Sequence, residues 1–167
     1  MLTFLNFLFE NKLEEEISAV GIPLLFKTGD IIVQAEKYTK VIPLVKKGVI
    51  KVFRENENGN EIFLYHIVAG ESCAVSLSTC LSNRKSNIKA IADTEVDLIA
   101  IPATQTIKWF EEYSSWRKFV LKTIDERYDE IFKTIDTLAF SNLDERLMTY
   151  LKSKADVLHS NIINTTH

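Results

Sequence analysis

The sequence predicts a mainly β fold with added helices. It is an antiparallel β-roll of jelly-roll type (a double-stranded β-helix), flanked by N-terminal helices and followed by a long C-terminal dimerisation helix. Three observations predict it. Between Ile22 and Ile101, short β-like runs are separated by turn signals. Asn58-Gly59 joins two of those runs, and Asn-Gly supplies positive φ cheaply, as a two-residue hairpin requires. From Trp116 to about Phe140 the chain carries no Gly or Pro and repeats apolar residues at spacings of three and four.

Bulk composition sets the limits. The 167 residues suffice for one substantial core with an appendage, and are too few for two full-sized domains. With 46% apolar and 26% charged residues, the chain has the profile of a folded soluble protein. Its net charge of -3 gives no overall basic excess, so these residues need not touch nucleic acid themselves. Two cysteines, Cys73 and Cys80, make no disulfide framework, and a cytoplasmic location is expected. The apolar start lacks a basic n-region and a cleavage site and is too short to span a bilayer, so it reads as a packing helix with no membrane partner.

In order along the chain, residues 3–19 predict one or two short helices, with Leu5, Leu8 and Phe9 on one face and Glu14, Glu15 and Glu16 toward solvent. Strands are expected over 24–27, 31–33, 41–45, 49–54 and 61–67, then over 88–93 and 95–101. No βαβ alternation appears, which argues against a dinucleotide-binding fold of the Rossmann type. A short helix is expected over 104–113, with Ile107 and Phe110 on one face. Ser114 and Ser115 can cap the next helix.

That helix carries a seam of Leu121, Ile124, Tyr128, Ile131, Ile135 and Leu138, flanked by charges that include Asp125, Glu126, Arg127 and Glu130. A single amphipathic helix usually packs on its own domain. Here about 25 residues span ~37 Å and follow a roll with its own apolar strands, so the seam is assigned to a homodimer. A further helix is expected over 141–158, capped by Ser141 or Asn142, with Leu143, Leu147, Tyr150, Leu151 and Leu158 as its apolar stripe. The domain division is therefore a roll with flanking helices over 1–113, a dimerisation helix over 114–140, and a helix and linker over 141–167.

Several motifs follow one another in a specific order. Phe26, Lys27, Thr28, Gly29, Asp30 and Ile31 lie on an early strand, and Gly48, Val49, Ile50, Lys51, Val52 and Phe53 on a middle one. Ala69-Gly70-Glu71 opens a loop, residues 90–96 and 98–102 follow it, and residues 138–147 lead out of the long helix. In this order the chain resembles the Crp/Fnr family of bacterial transcription regulators over essentially its whole length. The resemblance implies a cyclic-nucleotide-binding-like sensor domain, a dimer helix, and DNA reading by a C-terminal helix-turn-helix. The ending Asn164, Thr165, Thr166 and His167 is similar to the opening of that domain, so the chain is expected to stop where it would begin.

Residues 68–102 carry the effector question. Small and hydroxyl-bearing residues beside Arg84-Lys85 suit a loop that folds around an anion or a polar ligand. The effector-pocket candidates are Gly70, Glu71, Ser72, Cys73, Ser76, Arg84, Lys85 and Ser86. The resemblance implies an inner Gly-Glu for the ribose and an Arg followed by a small residue for the cyclic phosphate. Arg84 falls near that Arg, with Lys85 after it, while Ala74 and Val75 occupy the inner Gly-Glu positions. Val75 cannot accept a ribose hydrogen bond, which argues against cyclic AMP or cyclic GMP as the effector. Arg84 and Lys85 also read as a solvated loop tip.

No cofactor is assigned. Cys73 and Cys80 without further cysteines or a histidine make no zinc site, and buried small hydrophobes are the plainer reading. No cysteine precedes Cys73, against an Fe–S cluster of the family's N-terminal kind. His66 has no partner at His-x-His spacing, and no nucleophile–base arrangement is apparent, so no catalytic residue is named. The sequence thus predicts a non-enzymatic sensor and dimerisation portion of a Crp/Fnr-like regulator with an unknown small-molecule effector. Two alternatives stay open: a small cupin-like β-roll enzyme or ligand-binding module, and a true cyclic-nucleotide-binding domain.

Overall fold

The computed structural model describes residues 9–38, 40–55, 59–140 and 143–158, without the side chains of 137–140, 143–146 and 158. The expected roles of Leu5, Leu8, Asn58, Leu138, Ser141, Asn142, Leu143, Leu158 and the segment 159–167 lie outside the described residues. In order these residues form α1 (Asn11–Val20), β1 (Ile22–Phe26), β2 (Ile31–Val33), β3 (Val41–Lys47), β4 (Ile50–Glu55), β5 (Glu61–Ile67), α2 (Ala74–Leu81), β6 (Lys89–Ala92), β7 (Val96–Pro102), α3 (Ala103–Glu112), α4 (Ser114–Phe140) and α5 (Leu143–Leu158).

The strands make two antiparallel sheets, β1-β7-β3 and β2-β6-β4-β5, facing each other as a roll. In the first sheet β3 and β7 bury alternating side chains on both faces, whereas β1 at its edge is largely exposed. On β7, Val96, Leu98 and Ala100 point into the roll, while Ile101 joins Ile42 and Leu44 of β3 under the helices. On the roll side these residues meet Ile50, Val52, Tyr65, Ile67, Cys73, Ile88 and Ala90, so the interior is a filled apolar core.

The turn into β4 permits only glycine. Gly48 has φ 93°, and a Cβ there would lie 2.1 Å from the Glu95 carbonyl oxygen. That close approach locks the β3–β4 turn against the β6–β7 turn, where the Val49 N–H donates to Thr94 Oγ1 at 2.9 Å.

The helices form a second core over the first sheet. Leu13 and Ile17, one turn apart on α1, meet Trp109 of α3, Trp116, Phe119 and Val120 of α4, and Leu77 of α2. Trp116 is the hub, with ring centroids 5.5 Å from Phe9, 5.4 Å from Trp109 and 5.4 Å from Phe119. Glu16 accepts hydrogen bonds from Trp109 Nε1 and the Tyr113 hydroxyl, which holds its carboxyl below the usual range, Tyr113 contributing most.

The expected single loop between β5 and β6 is corrected in its middle. Residues 74–81 form helix α2, capped by Cys73 Sγ, which accepts from the Ser76 N–H at 3.4 Å. Its buried face of Ala74, Leu77 and Cys80 recurs every three residues, and burial against α3 and α4 outweighs the turn preference of its serines.

Candidate functional site

Helix α4 has two working faces. Trp116, Val120, Thr123 and Arg127, spaced four, three and four, are all buried against the protein's own body. The first two are apolar and the last is a guanidinium with only 4% of its surface exposed. A charge buried this deeply must be paired. Arg127 Nη2 donates to Glu71 Oε2 at 2.6 Å, and Nη1 donates to Glu130 Oε2 at 2.6 Å and to the His66 carbonyl at 3.1 Å. Its guanidinium lies over the Tyr65 ring, 4.7 Å from the centroid.

Glu71 is held for this contact by its turn. Gly70 takes φ 93°, its N–H donates to the Val45 carbonyl at 2.9 Å, and the Val45 N–H donates to the Glu71 carbonyl at 3.0 Å. The Val68 N–H donates to Glu71 Oε2 at 3.1 Å, the same oxygen that faces Arg127. Burial pushes the Glu71 carboxyl above its usual range although Arg127 works in the opposite direction. The result is a latch: one guanidinium on the long helix fastened to the Gly70-Glu71 turn and to β5.

Beside the latch lies a cleft of about 460 Å³ between β5, α4 and α5, with Phe63, Tyr65, Glu71, Arg127, Tyr150 and Ser153 among its walls. His66 also lines it. Burial, the largest influence, lowers the His66 pKa to about 4, and Lys51, Lys154 and Arg127 add to the fall against the nearby Asp93.

The eight effector-pocket candidates do not gather round one cavity. Gly70 and Glu71 sit at the latch. Ser72 is fully buried and donates to the Pro43 carbonyl at 2.7 Å. Cys73, the N-cap of α2, and Ser76, within its first turn, are both fully buried. Arg84 and Lys85 are exposed; Arg84 Nε donates to Ser82 Oγ at 3.0 Å, and Lys85 bridges to Tyr38. Ser86 is buried, its carbonyl accepting from the Glu36 N–H at 2.7 Å, and it lines a separate cavity of about 660 Å³ beside β2. Val75 packs against the roll core, and the Tyr65 hydroxyl is buried in the same interior beside Cys73.

Both thiols are enclosed. Cys80 Sγ donates to the Ala103 carbonyl at 3.4 Å, and burial raises its pKa. No group of three or more potential metal ligands occurs among the described residues, and no described helix is long and apolar enough to cross a membrane. Along the other face of α4, Leu121, Tyr128, Ile131 and Ile135 are exposed, while Ile124 is partly covered by the helical core.

Sequence reasoning missed Arg127 and Tyr65. Arg127 looked like one of the charges flanking the seam. Its signal was the spacing from Trp116, Val120 and Thr123, which puts it at the end of the inward stripe.

The cyclic nucleotide-binding domain model matches residues 23–113, from the first strand of the roll to the end of α3. The chain belongs to the cyclic nucleotide-binding domain family. Solved structures share its fold. A transcriptional regulator assigned to the Crp/Fnr family, from Eubacterium rectale, superposes with a TM-score of 0.84 at 21% identity, covering 98% of this chain and 76% of that one. The c-di-GMP-responsive global regulator CLP of Xanthomonas campestris gives a TM-score of 0.72 at 16% identity, covering 86% and 71%. The Thermus thermophilus catabolite activator protein gives 0.64 at 20% identity, covering 82% and 63%. No curated protein matches the sequence. Within this family fold, Tyr65 and Val75 help fill the roll interior and Arg127 closes against its mouth.

Proposed function

We propose that this chain is the effector-sensing and dimerisation portion of a Crp/Fnr-like transcription regulator, non-enzymatic, and responsive to an effector other than cyclic AMP. One observation carries the reading: Arg127, on the helix with the exposed seam, is bonded to Glu71 in the turn that opens the family's ligand segment. A signal that loosens or re-forms this pair moves α4 relative to the roll. Two copies joined at Leu121, Ile124, Tyr128, Ile131 and Ile135 would pass that movement to DNA-reading domains of the helix-turn-helix kind. Coupling requires the effector to favour one of two arrangements of the dimer.

The effector part of the reading rests on the filled roll interior and on Val75, which offers no acceptor to a ribose. Membership of the family favours a second reading, a true cyclic-nucleotide-binding domain, in which Arg127 and Tyr65 would swing aside. Isothermal titration with cyclic AMP and cyclic GMP separates the two. No heat is expected up to millimolar nucleotide, and micromolar binding of either would establish the second reading. Light scattering on the same sample should return a dimer mass; a monomer at high concentration would count against the sensor–dimer assignment itself.

A further inference from the structure

Helix α5 is fastened to the roll of its own chain by two contacts of different chemistry. Tyr150, in the middle of the helix, meets Phe63 of β5 edge to face, ring centroids 6.0 Å apart. One turn further on, Lys154 is 3% exposed. An ammonium enclosed to that degree needs a carboxylate. Asp93, between β6 and β7, supplies the attraction, and Lys51 of β4 is the neighbouring cation, 2.7 Å from the same carboxylate.

His66 stands between these contacts and the Arg127 latch. Its ring centroid lies 4.7 Å from that of Phe63. Its Nε2 lies 3.9 Å from Asp93 Oδ2, and its carbonyl accepts from Arg127 Nη1 at 3.1 Å. One buried residue of β5 therefore touches the ring that holds Tyr150, the carboxylate that attracts Lys154, and the cation of the latch. The charges that face the imidazole come from four places: Asp93 between β6 and β7, Lys51 of β4, Lys154 of α5 and Arg127 of α4. Behind Arg127 stand its own partners, Glu71 and Glu130.

We infer that α5 is a strap, closed over the roll by Tyr150 and Lys154, and that His66 couples its closure to the Arg127 latch, so that opening the latch frees α5. The inference goes beyond the sensor reading and does not need it, because every contact it uses lies within one chain. The two states of the strap differ in the surroundings of His66. With α5 closed, the imidazole is enclosed beside Lys154 and stays neutral down to a pH of about 4. With α5 open, it loses a neighbouring cation and gains solvent, so it takes up a proton more readily. By linkage, closure is favoured at neutral pH and weakens as pH falls toward 4.

The test is amide hydrogen exchange of the full 167-residue chain, read on peptides from α5. Arg127→Met should speed exchange in α5 by about tenfold or more at pH 7, while peptides from β7 stay as protected as in the parent. Glu71→Gln, which loosens the latch from its other side, should act in the same direction by about threefold, and serves if Arg127→Met also exposes the roll. In a His66→Ala background, the effect of Arg127→Met on α5 should fall to about threefold or less, because the coupling residue is gone. Tyr150→Ala opens the strap without touching the imidazole or a cation, and should raise the pH at which His66 titrates by about one unit, followed by proton NMR. The inference is overturned if both latch variants leave exchange in α5 unchanged, if Arg127→Met acts as strongly without His66 as with it, or if His66 titrates in Tyr150→Ala as it does in the parent.

Discussion

At the scale of single residues, Arg127 and His66 carry the consequences. Removing Arg127 while Glu71 stays ionised leaves a partly buried carboxylate without its cation, which is the costly way to break an ion pair. Glu71 retains 31% side-chain exposure, so solvent reduces the penalty. Arg127→Met should cost about 2 kcal/mol in urea unfolding at fixed protein concentration. Adding Glu71→Gln should recover about 1 kcal/mol, since the orphaned charge is then gone; strict additivity would mean the two side chains are not coupled. His66 gives a pH signature. Burial depresses its pKa from 6.5 to about 4, so the unfolded chain takes up a proton before the folded one does. The stability it permits is present above pH 6.5 and is lost as pH falls toward 4. Between pH 7 and 5 the loss is about 2 kcal/mol, from the linkage of one group shifted by this amount. His66→Gln should flatten that part of the profile, and a variant as acid-sensitive as the parent would place the effect elsewhere. The sequence made His66 visible as a strand histidine. It could not show that Lys51, Lys154 and Arg127 surround it, because these come from three other elements.

At the scale of elements, α4 is one helix with two jobs. Its inward stripe of Trp116, Val120, Thr123 and Arg127 fastens it to the roll, while Leu121, Tyr128, Ile131 and Ile135 remain exposed on another face. Both stripes were legible as spacings of three and four, and the outward one was the easier to see because it is apolar throughout. Ile131→Asp would put a charge in the middle of that face. Light scattering is expected to show a dimer converted to monomers, and an unchanged mass would take the seam out of the interface. Helix α2 was not legible. Two serines and a threonine interrupt its apolar residues, and serines favour turns and caps over helix interiors. Only the packing of Leu77 and Cys80 against other helices makes residues 74–81 helical.

At the scale of the whole molecule, two cores share the wall formed by β1, β7 and β3, so a displacement of α4 bears on the helical core and on the mouth of the roll together. The sequence by itself determined the roll, the order of its strands and the long helix, because alternation, turn chemistry and heptad spacing are local properties, and the order of its motifs carried the resemblance to the family. It also shows at position 75 a valine, whose side chain offers no hydrogen-bond acceptor. Only the tertiary structure decided that Glu71 meets Arg127, that Tyr65 helps fill the roll, that Arg84 stays exposed and that Phe63, His66 and Tyr150 border one cleft. These are meetings between residues tens of positions apart, set by packing and by the need to pair a buried charge, and no local pattern records them.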